Sequence, residues 1–383
     1  MAVNQAQLKK YEQMIFELRA MYARYGYSQF KIRKFEEFEL YVRNKDFLDS
    51  VNVITFTDTN GKLMALKPDV TLSVVKNSRD VPGTVQKVYY NENIYRVSRR
   101  SHMFEELMQV GIECIGDIDD YNIFEVLMLA LKTLRSISPG SILDVSNLDI
   151  VSAILSDYHV SEATRTDMIR CLGDKNLHTL RRICQENDVS PGGIEVLEKL
   201  TRIYGRPENV IPKLRQLLRG GAIEEPALTK TLQAVDDLER ILGTFTDQKL
   251  KDMIRLDFSV ISDMNYYNGI VFNGFIRDIP DCVISGGQYD RLMQKMKRRS
   301  GAIGFGVYMD RLERLLQEDN EYDIEILLLY DEDTDIHDLN DAVRTLTKGG
   351  HSVVAQRSIP EKLAYRTLMR IEGGEVKTIE ADA

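Results

Sequence analysis

The chain has 383 residues, more than one hydrophobic core usually supports, so two or three domains are expected. Apolar residues are 43% and charged residues 28%, ordinary for a folded soluble protein. The 50 basic and 59 acidic side chains leave a net charge of -9, which excludes an overall electrostatic pull toward nucleic acid or an anionic membrane.

The opening MAVNQAQLKKYEQ has no apolar core of signal-peptide length, and no apolar stretch approaches a bilayer span, so a cytoplasmic location is expected. Cys114, Cys171, Cys184 and Cys282 lie far apart without a CxxC, and the five histidines form no HxH or HExxH pair. Such spacing supports neither a metal site nor a disulfide framework, and buried reduced thiols are expected.

In chain order, Leu8, Tyr11, Ile15, Leu18 and Tyr22 recur at spacings of three and four and predict an N-terminal helix that Gly26 stops. VITFTDTNGKLMAL reads as two strands around Asn60-Gly61, a type I′ hairpin signal. QKVYYNENIYRVS, ELMQVGIECIG and SILDVSN add strands, with a helix at about 120 to 136. Hairpin-joined strands predict an antiparallel sheet rather than a doubly wound one, hence an α+β fold. From about 150 to 250 the 3.6-residue period takes over, with helix starts at SEAT, SPGGIEVLEKL and GRPENVIPKL, and this block reads as a helical insertion. Strands return at 254 to 275; SGGQYD leads into a helix, and GAIGFGVYMDRLERLL runs from strand to helix. The domain organisation expected is a core over 1–320 and a small α/β unit over 321–383. In that unit, DIEILLLY, a helix near 337 to 347, SVVAQ, a helix near 360 to 370 and EVKTIE give β-α-β-α-β.

Several residues qualify as site candidates, each with a structural alternative. Asp69 and Thr71 in ALKPDVT follow a strand and a Pro68 turn; they either bind an ammonium group or cap the next helix. Gln109 and Glu113 alternate onto one face of ELMQVGIECIG, as a solvated sheet face or as the polar floor of a pocket. Arg96 in NIYRVSRRSH either clamps a carboxylate or phosphate or forms a surface ion pair. The glycines of SGGQYD and GAIGFG fit neither GxGxxG nor a Walker loop, and no serine or cysteine sits in an elbow motif.

Taken together, YGYSQFKIRKFEEF, ALKPDVT, NIYRVSRRSHMFEELMQVGIECIG, NYYNGIVF, SGGQYD and GFGVYMDRLERL resemble histidyl-tRNA synthetases in order and spacing, over about residues 5 to 317. The resemblance implies the class II aminoacyl-tRNA synthetase-like fold, an antiparallel sheet flanked by helices, usually dimeric. It also implies that Asp69, Thr71 and Gln109 hold an α-ammonium, Glu113 and Tyr266 an imidazole beside Tyr267, and Arg96 a carboxylate.

The departures from the family pattern are informative. Ser262 stands where the family's Arg-Gly-Leu-Asp-Tyr-Tyr block carries the arginine that stabilises adenylate formation, a loss worth several kcal/mol of transition-state stabilisation. Ser98 replaces a glutamate of the second signature loop, and Tyr308 occupies a glycine position beside the nucleotide. A chain equipped to bind histidine without activating it resembles the regulatory subunit of the short-form ATP phosphoribosyltransferase of histidine biosynthesis. The alternative is a divergent histidyl-tRNA synthetase or other amino-acid ligase. The regulatory resemblance implies no catalytic residues, no cofactor, no tRNA and no membrane. It implies instead a separate catalytic subunit as partner, L-histidine as allosteric effector, and a homodimer within a hetero-octamer. Arg33, where the first signature has proline at the dimer seam, departs from the pattern.

Overall fold

The structure is a computed structural model, described over residues 9–44, 53–98, 101–261, 266–316 and 322–381. The chain opens with α1 (Lys10–Arg24), which buries Ile15, Leu18 and Tyr22 as the periodicity predicts and ends before Gly26 at φ +83°. Leu8 lies outside the described residues. There follow β1 (Ser28–Gln29), β2 (Phe35–Glu37), α2 (Phe38–Arg43), β3 (Thr55–Thr57), β4 (Leu63–Leu66) and α3 (Thr71–Asn77). The long hairpin of β5 (Val85–Val97) and β6 (Phe104–Gly116) precedes α4 (Asp120–Ile137) and β7 (Ile142–Asn147).

The hairpin at Asn60-Gly61 forms, with β3 antiparallel to β4, but not with a type I′ turn. That turn needs positive φ at both central residues, and of the pair only Gly61 has it, at +80°. The Asp58 carboxylate organises the loop instead, accepting from the N–H groups of Asn60 and Lys62, each at 2.8 Å.

After β7 the chain is helical: α5 (Leu148–Ser156), α6 (Glu162–Gly173), α7 (Leu177–Glu186), α8 (Pro191–Arg202), α9 (Pro207–Leu218), α10 (Ala227–Gly243) and α11 (Gln248–Lys251), with the short β8 (Tyr204–Gly205) before α9. The helix starts have their expected chemistry. Ser161 and Ser190 accept from the N–H groups of Thr164 and Gly193, and Pro191 and Pro207 open α8 and α9. Strands resume with β9 (Ile254–Asp257), β10 (Asn268–Phe275) and β11 (Ile284–Gln288), then α12 (Asp290–Lys295), β12 (Gly301–Tyr308), a 3-10 turn (Met309–Leu312) and α13 (Glu313–Leu316).

Nine strands form one sheet in the order β1-β5-β6-β12-β11-β10-β7-β9-β8. Its centre is antiparallel, as the hairpins imply, but β1 joins β5 and β9 joins β7 in parallel, pairings that no local pattern announces. The two sheet faces differ in chemistry. Tyr89, Ile112, Phe305, Gly286, Phe272 and Val145 share one register row on the apolar face. There Phe305 meets Tyr22 of α1 edge to face at 6.1 Å, and the buried Tyr22 hydroxyl lies 2.9 Å from Thr133 Oγ1 of α4. The opposite face carries the polar alternation and the site described below.

By chain contacts the molecule divides into two compact units, Met14–Arg314 and Leu315–Ala383 together with Met1–Gln13. The second unit has a four-stranded sheet in the order β14-β13-β15-β16, built from β13 (Ile324–Leu329), α14 (Ile336–Lys348), β14 (Val353–Gln356), β15 (Tyr365–Glu372) and β16 (Glu375–Ala381). The helix expected near 360 to 370 is a strand, so the unit is β-α-β-β-β. EKLAYRTLMR contains good helix formers, but β15 pairs parallel to β13 and antiparallel to β16, and Leu368 and Ile371 are buried. Sheet pairing outweighs local propensity there. Among the described residues no helix is long and apolar enough to cross a membrane. Cys114, Cys171 and Cys184 are buried free thiols, whereas Cys282 is half-buried.

Candidate functional site

A cavity of about 160 Å³ opens on the polar sheet face, lined by Asp69, Thr71, Tyr90, Arg96, Gln109, Tyr266, Tyr267, Ser285, Gly306 and Tyr308. Sheet register builds its floor. Tyr90, Gly111, Gly306 and Ser285 lie in one row across β5, β6, β12 and β11, and Gln109 and Tyr308 are paired in the neighbouring row. Gly111 is required in that floor, since a Cβ there would overlap both Phe305 O and the Tyr90 phenol.

The segment from Lys67 to Thr71 is pinned to β5 by three contacts. Tyr95 N–H donates to Lys67 O at 2.8 Å, Arg96 Nε donates to Pro68 O at 3.0 Å, and the buried Lys67 ammonium pairs with Glu92 at 2.9 Å. Asp69 is thereby fixed at the cavity wall. Its Oδ1 accepts from Leu72 N–H at 2.9 Å in the first turn of α3, which fits the capping alternative, and the residue also lines the cavity. Burial raises the Asp69 pKa, against the pull of Leu72 N–H and the Arg96 charge.

Gln109 and Glu113 are 6% and 2% exposed, which decides for a polar floor over a solvated face. Glu113, however, does not line the cavity. It sits behind Thr71, whose hydroxyl lies 2.8 Å from Oε1, while the Tyr289 hydroxyl lies 2.6 Å from Oε2. From the cavity, Glu113 is therefore screened by Thr71. Complete burial raises the Glu113 pKa from 4.5 to about 8, with Tyr289 and Thr71 only partly offsetting it.

This proton has a consequence for stability. Between pH 4.5 and about 8 the folded chain holds a proton on Glu113 that the unfolded chain has lost, so this group's contribution to stability declines as pH rises. Glu113→Gln, which mimics the neutral acid, is expected to remove on the order of a few kcal/mol of that decline. Urea midpoints of both proteins at pH 5 and pH 8 measure it; equal slopes would reject the assignment.

Tyr266 and Tyr267 form a wall with ring centroids 4.4 Å apart, and Tyr266 also meets Tyr289 at 5.9 Å. At the other end Tyr308 lines the cavity with the Arg311 guanidinium 4.2 Å from its ring centroid, and Arg311 in turn donates to Cys282 O. Ser98 is taken up in its own loop. Its N–H donates to Met103 O at 2.8 Å and its carbonyl accepts from His102 N–H at 2.9 Å. Ser262 lies outside the described residues, as do Arg99 and Arg100. Tyr90, Ser285, Gly306 and Tyr289 were not singled out from the sequence. The register of β5 against β6 is the signal that would have found Tyr90, because it sets the phenol opposite Gly111.

The cavity combines a carboxylate, a guanidinium, amide and hydroxyl groups and four phenols in a space below the roughly 300–1,000 Å³ usual for drug-sized ligands. It suits a zwitterion of amino-acid size. A largely antiparallel sheet bearing such a cavity, fed by a strand-loop-helix segment and a long hairpin, defines a class II aminoacyl-tRNA synthetase-like domain. The sequence model of the histidyl-tRNA synthetase family matches residues 2–312, and the chain belongs to that family.

Among curated relatives, the ATP phosphoribosyltransferase regulatory subunit of Oceanobacillus iheyensis is 23% identical over 307 residues, covering 79% of this chain and 73% of that protein. The protein of the same name from Alkaliphilus metalliredigens is 23% identical over 298 residues, 76% of this chain and 73% of its own. Among solved structures, an ATP phosphoribosyltransferase regulatory subunit/histidyl-tRNA synthetase from Bacillus halodurans superposes with a TM-score of 0.80 at 23% identity, covering 94% of this chain and 93% of that one. A histidyl-tRNA synthetase from Nostoc gives 0.75 at 13% identity, over 97% and 95%. The ATP phosphoribosyl transferase (HisG:HisZ) complex from Thermotoga maritima gives 0.59 at 16%, over 77% and 96%. These superpositions establish a shared fold.

Proposed function

We propose that this chain is the non-catalytic regulatory subunit of a short-form ATP phosphoribosyltransferase, supporting a separate catalytic subunit and relaying feedback inhibition by histidine. The observation that carries the reading is the cavity itself: sized for an amino acid, it is lined by Tyr308, whose ring packs on Arg311. Asp69, Thr71 and Gln109 receive the ammonium, Arg96 the carboxylate, and Tyr266 and Tyr267 the imidazole ring. The names borne by the relatives support the partner, and the Thermotoga maritima complex supports assembly with it. Ser262 and Ser98, at positions where the family carries an arginine and a glutamate, support the absence of ligase chemistry.

Histidine acts by linkage: it binds one conformation of this subunit better and thereby shifts the partner's equilibrium, with a coupling of about 1–3 kcal/mol. The test is to add this protein to a purified short catalytic subunit and assay phosphoribosyl transfer to ATP. Activity is expected to rise on addition and to fall with histidine, and no gain would overturn the reading. The ligase alternative, favoured by the family and by the Nostoc superposition, predicts ATP–pyrophosphate exchange with histidine; exchange at background is expected.

A further inference from the structure

Glu113 lies between two hydroxyls: Thr71 Oγ1 at 2.8 Å, which borders the cavity, and Tyr289 OH at 2.6 Å, which is buried. An ionised carboxylate only accepts, so both hydroxyls then donate to it and Thr71 turns its lone pairs toward the cavity, where the Tyr266 phenol also reaches it. A neutral carboxyl must donate through one oxygen. If it donates to Thr71, the threonine's own hydrogen turns toward the cavity. The other groups facing Glu113 are Asp69, Tyr90, Tyr266 and the adjoining Cys114, together with the backbone of Gly304. Among the described residues no cation belongs to this group, and burial keeps the proton on Glu113 at neutral pH.

We infer that Thr71 and Tyr289 are positioning residues of a relay in which an ammonium group entering the cavity drives the proton off Glu113. An ammonium brings three donors and no acceptor, so it is repelled by an outward-turned threonine hydrogen and matched by a threonine lone pair. Its charge also favours the ionised carboxyl. One O–H bond of Glu113 breaks, the proton passes to the buffer, and the two hydroxyl bonds both point inward. Tyr289, outside the cavity, is needed because it is the second donor that makes the charged state bearable. The relay rests on the proposed amino-acid site and adds a regulation to it: effector affinity that rises with pH over the range in which Glu113 titrates.

The experiment is calorimetric titration of the full chain with L-histidine at pH 7.5 in buffers of different ionisation enthalpy. Histidine's imidazole, with a reference pKa near 6.5, is then mostly neutral, so a released proton belongs to the protein. Wild type is expected to release up to about three-quarters of a proton per ligand and Glu113→Gln close to none. Tyr289→Phe is expected to weaken binding at pH 7.5 and to recover toward wild type by pH 9, whereas a merely structural role would weaken it equally at both. In the ligand-free protein, carboxyl-carbon NMR of glutamate-labelled chain, with Glu113→Gln as the assignment control, is expected to show one carboxyl titrating far above the rest. Histidine bound with equal proton release in wild type and Glu113→Gln overturns the relay and leaves the site standing. A Glu113 resonance titrating in the ordinary carboxylate range also overturns it. A silent histidine titration rejects the amino-acid site itself.

Discussion

Gly304→Ala is expected to unseat Glu113 and destabilise the synthetase-like unit by on the order of 3 kcal/mol or more, the upper end for forcing extra atoms into a packed interior. Gly304 of β12 is paired with Glu113 of β6, and a Cβ built on it would overlap Glu113 Oε2 and lie 2.5 Å from Ile112 O. The neighbouring strand's backbone cannot yield as a surface side chain does. Either β12 separates from β6, or the Glu113 carboxyl swings out of its seat between Thr71 and Tyr289. Thermal unfolding and histidine affinity are both expected to suffer. A wild-type melting temperature together with intact binding would mean that the seat is not built as described.

Asp69→Asn is expected to separate binding from folding. The amide oxygen can still accept from Leu72 N–H, so the cap on α3 survives. The burial that raises the Asp69 pKa also means that a neutral replacement costs the fold little. The lost charge removes a charge-assisted bond to the ligand ammonium, about 1.5–3 kcal/mol, or roughly 10- to 150-fold in Kd. Calorimetry should register that loss while the melting temperature stays within a degree or two of wild type. Unchanged affinity would remove Asp69 from the site.

Much of the architecture is local in origin and therefore legible in the chain. The period of α1, the serine caps of α6 and α8, the prolines opening α8 and α9, and the alternation along β6 each depend on residues within a few positions of one another. The errors share the opposite cause. The segment at 360 to 370 carries helix-forming residues, and only its pairing with β13 and β16 makes it a strand. Asn60-Gly61 carries the type I′ pair, yet Asp58, two residues earlier, captures the turn's N–H groups first.

The same division runs through the site. Sequence by itself determined the residue types, placing an acid and a threonine after a β4 turn, an arginine on β5, a glutamine and a glutamate on one face of β6, and a tyrosine pair before β10. Tertiary structure alone decided how they are used. Strand register set Tyr90 over Gly111 and Glu113 against Gly304, and the approach of α3 to β6 turned Thr71 onto Glu113. Tyr289, 176 residues from Glu113 in sequence, completes the carboxyl's environment. A proton's position depends on desolvation and on partners gathered from distant strands, and no spacing along the chain encodes either.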